Sequence, residues 1–217
     1  MNLKAVVYDM DGLLVDSMKH WLEFDIEFFK KRKIDYDPQI IKHFTGKTIV
    51  ECMAWLKDHF NLVESVEELC HGRDGWIEKI YDELAEVMPG VDNLLKAVKQ
   101  KGLKQAIATG APKIAAEKLV DRFGWQGYFD QLVSVECTKL PGKPNPGVFL
   151  HAAKVLGVEP EHCVVLEDAE NGVAAAKAAG MKCVAVPDKR WSFGDFSRAD
   201  LAVDSLEDKR VFDFLGL

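Results

Sequence analysis

The sequence predicts an α/β protein: a parallel sheet with helices between its strands, interrupted by one compact all-α insertion. Three observations predict it. After Pro89-Gly90, short apolar runs alternate with helix-length segments, the pattern of right-handed βαβ crossovers. The opening run Val6-Val7-Tyr8 lacks polar alternation and suits a strand buried on both faces. The next strand-like run, Lys104–Ala108, follows almost a hundred residues later, far too long for one βα connection.

Each element has a local reason. The first strand, near Leu3–Tyr8, runs into Asp9-Met10-Asp11-Gly12. From about Asp16 to Leu84 the apolar spacing is helical, with no convincing strand. Trp21, Phe24, Phe28 and Phe29 recur on one helical face, as do Met53, Leu56 and Phe60; Asn61-Leu62 and Gly72 read as breaks. Roughly four helices result. They form an insertion of residues 16–85 in a core of residues 1–15 and 86–217, with hinges near Leu14–Ser17 and Val87–Gly90. Beyond it, Val91–Gln100 is a helix stopped by Gly102. Lys104–Ala108 is a strand, and Pro112–Phe123 a helix with proline near its first turn. Leu132–Val135 is a short strand, and Pro146–Leu156 a helix ended by Gly157. Cys163–Leu166, Cys183–Val186 and Leu201–Val203 read as strands, with a helix at Asn171–Ala179 before Gly180.

Composition sets limits. A chain of 217 residues, 48% hydrophobic and 29% charged, suits a soluble globular protein with one core and an insertion. A formal net charge of −7 excludes a broad basic field for nucleic acid. The basic run Lys30-Lys31-Arg32-Lys33 reads as the solvated end of a helix. No apolar stretch reaches membrane-spanning length, and Met1 leads straight into the first strand. The five cysteines, Cys52, Cys70, Cys137, Cys163 and Cys183, are odd in number and lack CxxC spacing. Reduced thiols and a cytoplasmic location are therefore expected. Without a coiled-coil pattern, a monomer is expected.

Polar groups recur where strands end. Asp9 and Asp11, two apart on an extended backbone, face one volume. Thr109-Gly110 ends the second strand, and Glu167-Asp168 a later one. Lys143 stands in the rigid loop Gly142-Lys143-Pro144-Asn145-Pro146. Carboxylates suit a hard cation such as magnesium. Lysine, hydroxyl and glycine N–H groups suit phosphoryl oxygens. A small phosphorylated molecule is the expected partner. The histidines are scattered and none reads as a metal ligand.

This ordered set, Asp9-Met10-Asp11-Gly12, Thr109, Lys143 and Glu167-Asp168, resembles the haloacid dehalogenase-like superfamily of phosphotransferases across essentially the whole chain. The resemblance implies a doubly wound, Rossmann-like core with a helical cap over the strand ends. It implies Asp9 as nucleophile, forming an aspartyl-phosphate, and Asp11 as general acid and then base. Thr109 and Gly110 would bind the phosphoryl group, and Lys143 would neutralise it. Magnesium would lie at Asp9, the Asp11 carbonyl, Asp168 and Glu167, the last directly or through water. A dehalogenase relative usually lacks the second aspartate, so Asp11 favours phosphoryl chemistry. In the cap, Trp21 and Lys47, in the loop Thr45-Gly46-Lys47-Thr48, are candidate substrate contacts.

The favoured expectation is a phosphatase for a sugar phosphate or nucleotide-like monophosphate. A β-phosphoglucomutase-like enzyme is the alternative. Trp21 stands where such a relative has a histidine, and Ile49 where it has an arginine; both departures weaken that reading. A phosphonoacetaldehyde hydrolase would need a Schiff-base lysine, for which Lys47 is the candidate. A non-catalytic phospho-receiver module would need neither Asp11 nor a cap.

Overall fold

The computed structural model describes residues 2–44, 47–135 and 141–217. Six strands form one parallel sheet: β1 (Ala5–Tyr8), β4 (Lys104–Thr109), β5 (Gln131–Ser134), β6 (Cys163–Glu167), β7 (Lys182–Ala185) and β8 (Leu201–Ala202). Their order is β5-β4-β1-β6-β7-β8. β1 is central, and the chain winds outward from it in both directions. That arrangement opens a crevice at the carboxyl ends of the strands around β1.

Both sheet faces are covered, which is why the strands read as apolar runs. Along β1, Val6 and Tyr8 pack on one side with Leu94, Leu95 and Leu119. Ala5 and Val7 pack on the other with Phe149, Ala152 and Val173. The first face is covered by α6 (Val91–Gln100), α7 (Lys113–Phe123) and α10 (Lys209–Leu215). The second is covered by α8 (Gly147–Leu156) and α9 (Glu170–Ala178). Every strand and helix expected after Pro89 is present within a residue or so of its expected bounds. The short α10 was not foreseen; it anchors Val211 and Leu215 under the sheet.

Among the described residues of 16–85 lie five helices, where roughly four are expected: α1 (Met18–Lys31), α2 (Ile41–Phe44), α3 (Ile49–Phe60), α4 (Val66–His71) and α5 (Asp74–Lys79), the last continuing into a π-turn at Ile80–Leu84. They share a hydrophobic cluster of their own, including Phe24, Phe28, Phe29, Met53, Leu56 and Leu69. Each such buried side chain contributes about 1.5–3 kcal/mol by leaving water. Capping boxes begin two of these helices, Thr48 with Glu51 and Ser65 with Glu68. Asn61, in the left-handed conformation, ends α3. Lys30 and Lys31 occupy the last turn of α1, as the basic run suggested.

A short ribbon at the hinges adds to the expected elements. Val15–Asp16 (β2) and Glu86–Val87 (β3) pair antiparallel where the helical segment leaves and rejoins the core. Two residues per strand are too few to show a period. No helix among the described residues is long and apolar enough to cross a membrane. Cys52, Cys70, Cys163 and Cys183 are free thiols; Cys137 lies outside the described residues.

Candidate active site

The crevice at the end of β1 is built by turns that leave little freedom. Asp9 extends the ladder one residue past β1, its N–H donating to the Leu166 carbonyl at 3.0 Å. The chain then turns at Gly12, whose φ is +86°. A Cβ at Gly12 would stand 2.4 Å from Asp168 Oδ2, so only glycine allows this approach. Gly172, in the first turn of α9, is equally constrained. A Cβ there would lie 1.8 Å from Glu167 Oε1.

These turns bring the expected core residues together. Asp9, Thr109, Gly110, Lys143, Glu167 and Asp168 line one cavity of about 140 Å³, with Asp11 beside them. Lys143 is only 2% exposed. Its ammonium donates to Asp9 Oδ1, and to Glu167 Oε1 at 2.5 Å. Glu167 Oε2 accepts from the Ala169 N–H at 2.8 Å. Asp11 Oδ1 accepts from Ser17 Oγ at 2.5 Å and from the Tyr81 hydroxyl at 2.8 Å. Asp168 Oδ2 accepts from Ser192 Oγ at 3.1 Å. Thr109 Oγ1 accepts from the Ala111 N–H at 3.0 Å. Thr109 is thus a strand-end cap that also lines the cavity, which leaves its own O–H to donate there.

Burial dominates the electrostatics. It pushes the Asp9 carboxyl up to about 7, although Lys143 pulls it down. It raises Asp168 well above the usual range, reinforced by the Glu167 and Asp9 charges. Burial also raises Asp11, against the hydrogen bonds from Ser17 and Tyr81. For Lys143 burial favours the neutral amine. The Asp9 and Glu167 carboxylates outweigh it and hold the ammonium above the usual lysine value.

Asp9, Glu167 and Asp168 each present a carboxylate oxygen within 4.8 Å of the others. An all-oxygen set of crowded, buried carboxylates fits a hard divalent cation such as magnesium, which would relieve their repulsion. The Asp11 carboxylate is not in this group. It is turned to Ser17 and Tyr81, so only its backbone could serve a metal.

The cap candidates are less uniform. Trp21 lines the cavity, yet it also packs edge-on against Phe24 at 6.0 Å and Tyr81 at 6.3 Å. It is both pocket wall and cap core. Lys47 is an exposed residue on the cavity lining; Thr45 and Gly46 lie outside the described residues. The sequence reading missed Tyr81, Ser192, Asp25 and Arg73, which also line the cavity. Only Asp25 left a signal: it interrupts the apolar face of α1 one turn after Trp21.

Known proteins share this architecture. Hexitol phosphatase B of Escherichia coli K12 is 31% identical over 233 residues, covering 99% of this chain and 98% of that protein. CbbY of Rhodobacter sphaeroides, solved in complex with phosphate, superposes with a TM-score of 0.84 at 24% identity, covering 95% of this chain and 96% of the other. β-Phosphoglucomutase of Clostridium difficile gives 0.83 at 23% identity, covering 99% and 97%. These two likenesses show the fold. The haloacid dehalogenase-like hydrolase pattern matches residues 3–180, and the chain belongs to that family.

Proposed function

We propose that this enzyme is a magnesium-dependent phosphatase that hydrolyses the phosphate monoester of a small polyhydroxylated metabolite through an aspartyl-phosphate on Asp9. The observation that carries the proposal is the division of labour between two aspartates two residues apart. Asp9 is bonded to a buried lysine; Asp11 is held away from it by Ser17 and Tyr81.

The two carboxyls thus receive different tasks. Asp9, whose ionised form the Lys143 ammonium favours against burial, attacks phosphorus; the bond to the leaving oxygen breaks as the Asp9–phosphorus bond forms. Asp11, whose burial favours the protonated form, gives its proton to that oxygen. It then takes a proton from the water that attacks the aspartyl-phosphate, releasing inorganic phosphate and restoring Asp9. Thr109 and the Gly110 N–H hold phosphoryl oxygens, while the Lys143 ammonium offsets charge that builds up in transfer. Magnesium bound by Asp9 and Asp168 would supply further charge neutralisation and orientation. Both Glu167 oxygens already accept protein hydrogen bonds, which favours a water-mediated role for that residue.

Residues 16–85 act as the cap and choose the leaving group, with Trp21 and Lys47 among its contacts. Hexitol phosphatase B, similar along its whole length, supports a sugar-phosphate or polyol-phosphate substrate. The mutase alternative is not favoured. It shares the core, but this chain lacks that relative's cap histidine and arginine.

The test is phosphate release from a panel of sugar, polyol and nucleoside monophosphates, with magnesium and with EDTA. The expected result is magnesium-dependent release from a few related esters, abolished by EDTA. Isomerisation of β-glucose 1-phosphate to glucose 6-phosphate without phosphate release would replace the phosphatase by the mutase.

A further inference from the structure

Two opposite charges are buried in the helical segment without being hydrogen-bonded to each other. Asp25, on α1, is 7% exposed; Arg73, the residue before α5, is 6% exposed. Their nearest approach, Arg73 Nη2 to Asp25 Oδ1, is 3.9 Å. That is close enough to attract and too far for a hydrogen bond. Arg73 Nε is buried with no partner; among the described residues the Asp25 charge is opposed by Arg73 alone and is also felt by the Tyr36 hydroxyl and the Cys52 thiol. The guanidinium cannot swing away to find one. Its carbon lies 4.5 Å from the ring centroids of both Trp21 and Phe24.

Burying a polar group unpaired is costly, so an unfinished pair calls for whatever completes it. Both residues line the cavity that holds Asp9 and Asp11. We propose that Asp25 and Arg73 together read a neutral hydroxyl of the leaving group. The inference rests on the phosphatase reading and adds to it the part of the substrate that the cap recognises.

The chemistry singles out a hydroxyl. An alcohol has one proton to donate and lone pairs to accept. One oxygen at hydrogen-bond distance from each group spans a 3.9 Å gap, giving its proton to Asp25 and accepting from Arg73. A vicinal diol could serve both groups more fully. A carboxylate or second phosphate would pair with Arg73 but meet the Asp25 charge. An ammonium would meet the reverse. The ring of Trp21, fixed beneath Arg73, offers an apolar face to the carbon skeleton. The pair thus selects neutral, hydroxyl-bearing esters and rejects deoxy and doubly anionic ones.

The experiment compares kcat/KM of the full chain, with magnesium, across a matched set. It contains glucitol 6-phosphate, glucose 6-phosphate, the 2-deoxy, 3-deoxy and 1,5-anhydro analogues of the latter, and 6-phosphogluconate. A hydroxyl read by buried charged groups should make one missing hydroxyl cost about 10- to 100-fold. Asp25→Asn and Arg73→Met should each shrink that ratio to within about threefold. Asp25→Asn, which leaves the cation alone, should also move the preference between glucose 6-phosphate and 6-phosphogluconate towards the latter. A merely structural role would lower all rates together and leave both ratios unmoved. Equal ratios in wild type and folded variants would overturn the inference, as would a wild type indifferent to every deoxy analogue. That second result needs no variant to fold. Either leaves the phosphatase reading intact, whereas no phosphate release from any ester would overturn both.

Discussion

The two ends of the cavity are built on opposite principles. At the sheet end, charged side chains are tied before any substrate arrives: Lys143 to Asp9 and Glu167, Asp11 to Ser17 and Tyr81, Asp168 to Ser192. At the helical end, Asp25 and Arg73 stand 3.9 Å apart, and Arg73 Nε is unpaired. Phosphoryl transfer gains most from charges that need not reorganise during the reaction. Recognition gains from groups that only the right ligand completes, because a wrong one leaves them unsatisfied. On the proposed reading, one region is finished for chemistry and the other is left unfinished for selection.

The largest effect should come from breaking the sheet end at its reacting atom. Asp9→Asn is nearly isosteric and removes the attacking carboxylate. Phosphate release should fall below about one per cent of wild type, with circular dichroism unchanged. Retention of more than a few per cent would displace Asp9 as nucleophile.

Lys143→Met breaks the same end electrostatically. It strands the buried Asp9 and Glu167 carboxylates without a counter-charge, which costs about 3–5 kcal/mol. In a chain of this size Tm should fall by about 10 °C, alongside a severe loss of turnover. Tm unchanged within a degree would show that the lysine is not the counter-charge its contacts indicate.

Tyr81→Phe probes the seam between the two regions. Tyr81 follows the cap helices, yet its hydroxyl holds Asp11 Oδ1. Losing that bond while Ser17 remains should lower kcat about tenfold and leave KM nearly unchanged. An unaltered kcat would mean that Ser17 alone positions the acid.

The smallest effect sharpens the helical end. Burial pushes the Asp25 carboxyl up to about 6, with Arg73 opposing. The unfolded value is near 4. The folded chain therefore binds this proton more tightly than the unfolded one. The stabilisation is full below about pH 4 and is lost as pH rises through about 6. Asp25→Asn should raise Tm relative to wild type above pH 7 and leave it unaltered at pH 4. An equal shift at both would remove the titration as its cause.

Much of the sheet end was legible in the chain because its signals are local. Asp9, Thr109 and Glu167 each follow an apolar run directly, with Asp11 and Asp168 within two residues of them, and parallel strands carry such ends to one edge. Lys143 was legible from its proline-flanked loop. The rest was not. Seventy residues separate Tyr81 from Asp11, and nothing near either one marks the other. The β2–β3 ribbon is two residues per strand, below the length at which alternation shows. The Lys143 hydrogen bond to Glu167 Oε1 likewise joins groups that nothing local in the chain relates.

By itself the sequence determined the α/β class, the inserted helices and the ordered polar strand ends. Apolar period and turn chemistry act over a few residues and survive in any packing. Only the tertiary structure decided which side chains of the helical segment face the chemistry. That depends on the rotation of each helix about its axis and on its docking against the core. Asp25, Arg73 and Tyr81 meet the cavity through that docking, and no local pattern encodes it.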